Sequence, residues 1–253
     1  MISTSPKLSI VMPVYNRESY IQSAIDSILN QTFTDFEFII INDGSQDNTV
    51  KLIETYNDSR IKLFHNDRNR GIVYSRNQGL QKVTGHYVGM FDSDDIALPE
   101  KFEKQVSFLD QNPEYAMVGA WVKWIDAEGK LTGKKWKLPA SSPTIPAIMV
   151  FRNYFVQSTV VIRRQAIPEG GYSEGYDIAE DSKMWFDVSL KHKVANMQEY
   201  LLHYRMHDDN ISNMSDKYVD TSKMLITHIL SKLGINATEE ELELHLNLKN
   251  NNP

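Results

Sequence analysis

The chain has 253 residues, 41% of them hydrophobic and 24% charged, with no cysteine and a formal net charge of −6. That balance suits one large folded domain with a small appendage; it excludes global disorder, a fibre, and any fold held by disulfides or thiolate zinc. The acidic excess argues against a general nucleic-acid binder, and no apolar run approaches the roughly 20 residues of a membrane helix.

Leu8 to Tyr15 is apolar and rich in β-branched residues, which predicts a buried strand. Ser19 to Asn30 puts Tyr20, Ile21, Ala24, Ile25, Ile28 and Leu29 on one helical stripe. Phe36 to Ile41 reads as a second buried strand, stopped by the turn cluster Asn42-Asp43-Gly44-Ser45. Asp47 then caps a helix that runs to about Tyr56. A short strand at Ile61 to His65, a helix from Ile72 to Val83 and a strand at Tyr87 to Phe91 follow. The last of these ends in Asp92-Ser93-Asp94-Asp95. Strands separated by helical stretches imply right-handed crossovers. The expected fold class is therefore α/β, a three-layer α/β/α sandwich with a mostly parallel central sheet. In such sheets ligands sit at the carboxyl ends of the strands, where these polar clusters fall.

The second half is less regular. Glu100 to Gln111 predicts a helix, Ala116 to Ile125 a strand, and Asp126-Ala127-Glu128-Gly129 a hairpin turn into a basic edge ribbon, Lys130 to Lys137. Thr159 to Ile162 is a short strand, Glu180 to Lys191 a helix and Met197 to Met206 a strand. Helices are expected from Ser215, carrying Tyr218, Met224, Leu225, Ile229 and Leu233, and over Glu239 to Leu248. A frayed tail is expected from Lys249 to Pro253.

Six clusters carry candidate chemistry. Three carboxylates in Asp92-Ser93-Asp94-Asp95 repel one another unless cations or donors compensate. Oxygen ligands of this kind suit Mg2+ or Mn2+, which also grip phosphates; the alternative is a solvated turn capping the next helix. Asp43 can accept the imide N–H of uracil or the N–H groups of guanine, or act as a plain turn cap. Pro13-Val14-Tyr15-Asn16-Arg17 can hold a base or ribose, or be ordinary turn chemistry. Arg76, after Asn69-Arg70-Gly71, can neutralise carboxylates or bind phosphate; the alternative is a surface ion pair. Glu180-Asp181 offers a general base, against the reading that acidic residues simply suit a first helical turn. Upstream, the Gly- and Tyr-rich loop Gly170 to Tyr176 can stack on a sugar. His207, in Tyr204-Arg205-Met206-His207 and ahead of Asn210-Ile211-Ser212, can complete a metal site beside the acidic cluster or be structural. Missing motifs also decide: there is no Gly-x-Gly-x-x-Gly after a strand, no Gly-x-x-x-x-Gly-Lys-Ser/Thr and no Gly-x-Ser-x-Gly.

Taken in order from Leu8 to Ser212, these clusters resemble the inverting glycosyltransferases of family 2, with the A-type nucleotide-diphospho-sugar transferase fold. The resemblance implies that Pro13, Tyr15 and Asn16 line a nucleotide pocket, that Asp43 binds the base and that Arg76 supports the nucleotide. Asp92, Ser93 and Asp94 would contact the donor. Asp94, Asp95 and His207 would hold Mn2+ or Mg2+, with Asp94 nearer the ribose and Asp95 nearer the metal. Asp181 matches the catalytic base, with Glu180 beside it. The implied reaction moves a sugar from a nucleotide-diphosphate donor, a UDP-sugar first, to a hydroxyl of a glycan or lipid-linked acceptor in cell-surface polysaccharide synthesis. A non-catalytic nucleotide-sugar or glycan binder and a sugar-nucleotide pyrophosphorylase are the alternatives. Residues 1–214 would be catalytic, with a nucleotide half to about 112 and an acceptor half after it; residues 215–253 form a helical extension. The start, Met1 to Lys7, lacks the pattern of a signal peptide. A cytoplasmic enzyme is expected, either free or peripheral at the inner face of the plasma membrane. Lys130, Lys134, Lys135 and Lys137 with Trp136 form a basic, aromatic patch that could touch anionic lipid, though a solvated edge ribbon is the favoured reading.

Overall fold

A computed structural model describes residues 5–141, 143–208, 210 and 215–250. The strands are β1 (Leu8–Val14), β2 (Phe36–Asn42), β3 (Ile61–His65), β4 (Tyr87–Met90), β5 (Ile96–Ala97), β6 (Tyr115–Ile125), β7 (Leu131–Trp136), β8 (Val161–Arg163) and β9 (Lys193–Arg205). The helices are α1 (Ile21–Leu29), α2 (Thr49–Ile53), α3 (Ile72–Leu80), α4 (Lys101–Gln111), α5 (Ile145–Ile148), α6 (Glu180–Lys191), α7 (Ser215–Lys232) and α8 (Glu239–Asn250).

Every residue of β1 and β2 is buried, because helices cover both faces of the sheet. From β1, Leu8, Ile10, Met12 and Val14 pack with Ile25 and Ile28 of α1 and Phe102 of α4. Val11 points the other way, among Val73 of α3 and Trp185 of α6. The pleat thus sorts one apolar run into two cores, one per face. The three-layer arrangement is as the alternating pattern predicts. α3 lies close on β1: a Cβ on Gly79 would meet Val11 Cγ1 at 2.3 Å. Leu225 and Ile229 seat α7 in the core that holds Trp185 and Phe186.

The sheet order is β3-β2-β1-β4-β8-β6-β9-β5, with β7 hydrogen-bonded to β6 outside this path. β3, β2, β1 and β4 are mutually parallel, so the segments after β1, β2 and β4 emerge at one edge. Beyond β4 the sheet is mixed. β8 runs antiparallel between β4 and β6, and β6 and β9 pair in parallel. The two halves expected from the sequence therefore share one continuous sheet.

Most differences in element bounds are at the ends. α2 stops at Ile53 rather than Tyr56, and β9 starts at Lys193, four residues before the expected Met197. Thr159 belongs to a 3-10 turn, and the strand after it is Val161–Arg163. β5 and α5 are short elements without periodicity long enough to read. Ile211, Ser212 and residues 251–253 of the expected tail lie outside the described residues, as does the side chain of Tyr218; Lys249 and Asn250 close α8.

Candidate active site

The edge is assembled from loops that brace one another. Asn16, at φ 49°, takes a left-handed turn that Asn tolerates. Its backbone N–H donates to Ser45 Oγ at 3.0 Å, and its Oδ1 accepts from Gln46 N at 2.8 Å. Asn42 Oδ1 accepts from Ser45 N at 3.0 Å. The loop after β1 is thereby locked to the loop after β2. Pro13 is buried in β1, and Tyr15 is partly buried just beyond it.

Asp43 is 4% exposed. Its Oδ1 accepts from Asn66 Nδ2 at 2.7 Å and Arg70 N at 2.9 Å, and its Oδ2 accepts from Gly71 N at 2.9 Å. The carboxylate thus fastens the loop between β3 and α3, and one Oδ2 lone pair remains for a ligand N–H. Gly44 permits the closure. It sits at φ +73°, and a Cβ there would lie 2.6 Å from the Arg68 carbonyl carbon.

Arg76 is the cation at the centre. It is 4% exposed. Its Nη2 donates to Asp92 Oδ1 at 2.8 Å, and its Nη1 meets Glu180 Oε1. Burial opposes its charge, but Glu180 and Asp92 outweigh that and raise its pKa further. Asp92 is also held by Ser158, whose Oγ donates to Asp92 Oδ2 at 3.2 Å and accepts from Asp92 N at 3.1 Å. Tyr172 stands over Arg76 with its ring centroid 5.4 Å away and donates nothing to solvent, being 2% exposed. Of the aromatic loop expected to stack on a sugar, Tyr172 is therefore core, packed edge-on against Trp185.

The two acidic residues that open α6 have separate environments. Glu180 is buried against Arg76; burial pushes its pKa up, Arg76 pulls it down and Asp181 adds to the rise. Asp181 is partly buried. Asn153 Nδ2 donates to its Oδ2 at 3.2 Å, and Ser182 donates N–H to its Oδ1. Burial raises the Asp181 pKa, with Arg76 and the Ser182 N–H acting against it. A carboxylate of raised basicity with no ion pair among the described residues suits proton abstraction.

The three carboxylates after β4 also diverge. Asp94 Oδ2 lies 3.0 Å from His207 Nε2 and 3.6 Å from Arg17 Nε. Asp95 turns inward, 1% exposed, with Oδ1 accepting from Arg205 N at 2.9 Å. Its Oδ2 has no hydrogen-bond partner among the described residues. Burial, then Asp94 and Asp92, raise its pKa well above the aspartate range. Ser93 is buried. Arg205 also donates to Asp94 O at 2.7 Å and Ala127 O at 2.9 Å, tying the acidic loop to the end of β9. Asp94 and His207 thus come together as the sequence suggests, and Asp95 does not join them. Among the described residues no group of three His, Cys, Asp or Glu side chains is gathered as a metal site. Ser158 and Asn153, which hold Asp92 and Asp181, are lone polar residues in an irregular stretch; nothing in their spacing marks them.

Residues 9–169 match the family described as Glycosyl transferase family 2. A Haemophilus influenzae protein named as an uncharacterized glycosyltransferase is 35% identical over 246 residues, covering 91% of this chain and 76% of that protein. The O-antigen biosynthesis glycosyltransferase WbnJ of Escherichia coli is 30% identical over 235 residues, 90% of this chain and 91% of its own. Among solved structures, Staphylococcus aureus TarS in complex with UDP-GlcNAc superposes with a TM-score of 0.70 at 20% identity, over 95% of this chain and 70% of that one. The mannosyltransferase PcManGT of Pyrobaculum calidifontis, in complex with GDP-Man and Mn2+, gives 0.65 at 14% identity, over 98% and 70%. At those identities the structures speak for the fold, which is the glycosyltransferase A-type expected. The family match spans more than half of the chain and the fold agrees with it, and the chain belongs to glycosyltransferase family 2.

Proposed function

We propose that the chain is an inverting enzyme that moves a hexosyl or N-acetylhexosaminyl group from a UDP-sugar to a hydroxyl of a glycan or lipid-linked acceptor in cell-surface polysaccharide synthesis. The observation that carries this reading is the division of labour at the start of α6. Glu180 is committed to Arg76, while Asp181 keeps a partly exposed carboxylate of raised pKa. The names of the relatives agree with it: WbnJ acts in O-antigen biosynthesis, and TarS is complexed with UDP-GlcNAc.

In this mechanism Pro13, Tyr15, Asn16 and Asp43 receive the nucleotide, and Ser93, Asp92 and Asp94 face the donor sugar and diphosphate. Asp181 takes the proton of the acceptor hydroxyl as its oxygen attacks C1. The new O–C1 bond forms on the face opposite the departing UDP, the C1–O bond to the diphosphate breaks, and configuration inverts. Arg76 holds Asp92 and Glu180 in place beside it, which leaves Asp181 as the carboxylate of this cluster without an ion pair among the described residues. An aligned base is worth about 10²–10⁴ in rate.

The family implies a divalent cation, and the side chains fit it as a partial shell. Asp94 supplies a carboxylate oxygen and His207 an imidazole nitrogen 3.0 Å from it, a donor set suited to Mn2+ or Mg2+ once diphosphate oxygens complete the sphere. When bound, the cation would offset the negative charge that builds on the leaving diphosphate. Among the described residues no helix is long and apolar enough to cross a membrane; a lipid-linked acceptor would bring the enzyme to the cytoplasmic membrane face.

The test is Asp181→Asn. Turnover of a UDP-sugar should fall by about 10²–10⁴, while the thermal shift induced by UDP with Mn2+ persists. Near-normal turnover would refute the assignment of the base.

A further inference from the structure

Asp43, just after β2, is an acceptor that either uracil or guanine could use, and the hydrogen bonds around it decide between them. An ionised carboxylate only accepts, and each of its oxygens has two lone pairs. Asp43 Oδ1 accepts from Asn66 Nδ2 at 2.7 Å and from Arg70 N at 2.9 Å, and Oδ2 accepts from Gly71 N at 2.9 Å. Oδ1 is therefore full. Among the described residues, one lone pair of Oδ2 is left. Two of the three donors are backbone N–H groups, which residues of almost any kind supply. The third, Asn66, is a choice of side chain.

Asn66 is held so that it cannot turn away. It follows β3, and its backbone N–H donates to Asn42 O at 2.9 Å, which sets it beside Asp43 at the carboxyl edge of the sheet. Its second amide hydrogen goes to Ser75 Oγ at 2.8 Å, and Ser75 is fully buried in α3. Both hydrogens of the amide are thus used, one on the carboxylate and one on a fixed hydroxyl. Water on Oδ1 could be displaced by a ligand donor; an amide tethered at both ends cannot.

The bases differ in what they bring to such an acceptor. Uracil and thymine present one ring N–H, at N3, between two carbonyl oxygens. Guanine presents two donors side by side, N1–H and the 2-amino group, and a carboxylate takes them as a bidentate pair with a lone pair on each oxygen. Hypoxanthine keeps the N1–H and lacks the amino group. Cytosine turns a lone pair at N3 toward the carboxylate. A donor buried without an acceptor loses about 5–150-fold in affinity.

We propose that Asn66 selects the base of the donor nucleotide: by filling Oδ1 it leaves Asp43 able to take a single ring N–H, so the site accepts uracil-type bases and rejects guanine. Asn66 acts through Asp43 and is a positioning residue. The proposal rests on the donor reading above and names the residue that fixes its base.

The experiment titrates nucleoside diphosphates, with Mn2+ present, into the full chain and its Asn66→Ala variant by calorimetry. The panel is UDP, the diphosphate of 3-methyluridine, CDP, IDP and GDP. In the wild type, blocking N3 or replacing uracil by cytosine should weaken binding at least about tenfold, and GDP should bind at least about fivefold more weakly than IDP. These two purines differ in the 2-amino group alone, so their ratio reports the acceptor count and not the size of the base. In Asn66→Ala the ratio should close or invert, because Oδ1 then has a lone pair for the second donor. A merely structural role would weaken every nucleotide together and leave the ratio as it was. Equal binding of GDP and IDP by the wild type, an unchanged ratio in a variant that still melts cooperatively, tight binding of the 3-methyl analogue, or binding of UDP without IDP would each overturn the proposal. If the variant does not fold, the wild-type panel decides alone. Binding of none of the five would refute the donor reading itself, an outcome distinct from binding without selection.

Discussion

Replacing Arg76 with Met removes the cation that touches both Asp92 and Glu180. The two carboxylates then share a buried pocket with Asp181. Breaking a buried pair by deleting one partner costs about 3–5 kcal/mol. That figure applies where Glu180 is ionised in the wild type. With an unfolding entropy of about 2.1 cal/mol/K per residue, it corresponds to about 6–9 °C in Tm for a chain of this length. The pH dependence follows from the sign of the shift. With Arg76 in place, burial already pushes the Glu180 pKa from 4.5 up to about 8; without Arg76 it rises further. Below about pH 8 Glu180 keeps its proton in both folded proteins and adds nothing to the deficit. Above that value the deficit grows by about 1.4 kcal/mol per pH unit, about 3 °C in Tm, until the pKa of the variant is reached. Calorimetric melts of both proteins from about pH 7 to about pH 9.5 provide the assay. A deficit that does not grow above about pH 8 would refute the view of Arg76 as the counter-ion of this pocket.

Two other outcomes are expected. Because burial raises the Asp181 pKa, the acid limb of kcat/KM should lie above the position an ordinary aspartate would give, with activity falling as pH drops through that raised value; a limb at or below pH 3.8 in a pH–rate profile would contradict it. Chelation should abolish turnover and Mn2+ should restore it, and His207→Ala or Asp94→Asn should raise the Mn2+ required by at least about tenfold, read by titrating Mn2+ into the UDP complex; unchanged requirements in both variants would remove these residues from the cation site.

Legibility in the sequence followed the physics of each element. β1 and β2 are mostly apolar, Ser9, Glu37 and Asn42 apart, because both faces are covered, and that is visible in a window of seven residues. The bounds of α6, Glu180 to Lys191, follow from its acidic first turn and its apolar stripe. Asp94 and His207 each stand out at a strand end, but their contact bridges 113 positions, and no local pattern encodes it. Asp95 shows why a run of carboxylates does not assign itself: neighbours in sequence point to different sides of the loop, and the buried one is met by the backbone N–H of Arg205, 110 positions away. Ser158 holds Asp92 through two hydrogen bonds and Asn153 holds Asp181 through one, from a stretch where neither periodicity nor motif exists. β8 is three residues long, and its place between β4 and β6 depends on long-range pairing alone.

That placement has a consequence for synthesis on the ribosome. The edge of β4 opposite β1 is paired by Val161–Arg163, about 70 residues further along the chain. At roughly 5–20 residues per second this stretch takes about 4–15 s to emerge. For that time the nascent parallel sheet ends in an unpaired, fully buried-type strand, Tyr87–Met90, the kind of edge that recruits other chains. Arrest of translation inside this window should therefore yield a sticky intermediate, and arrest beyond Arg163 a soluble one.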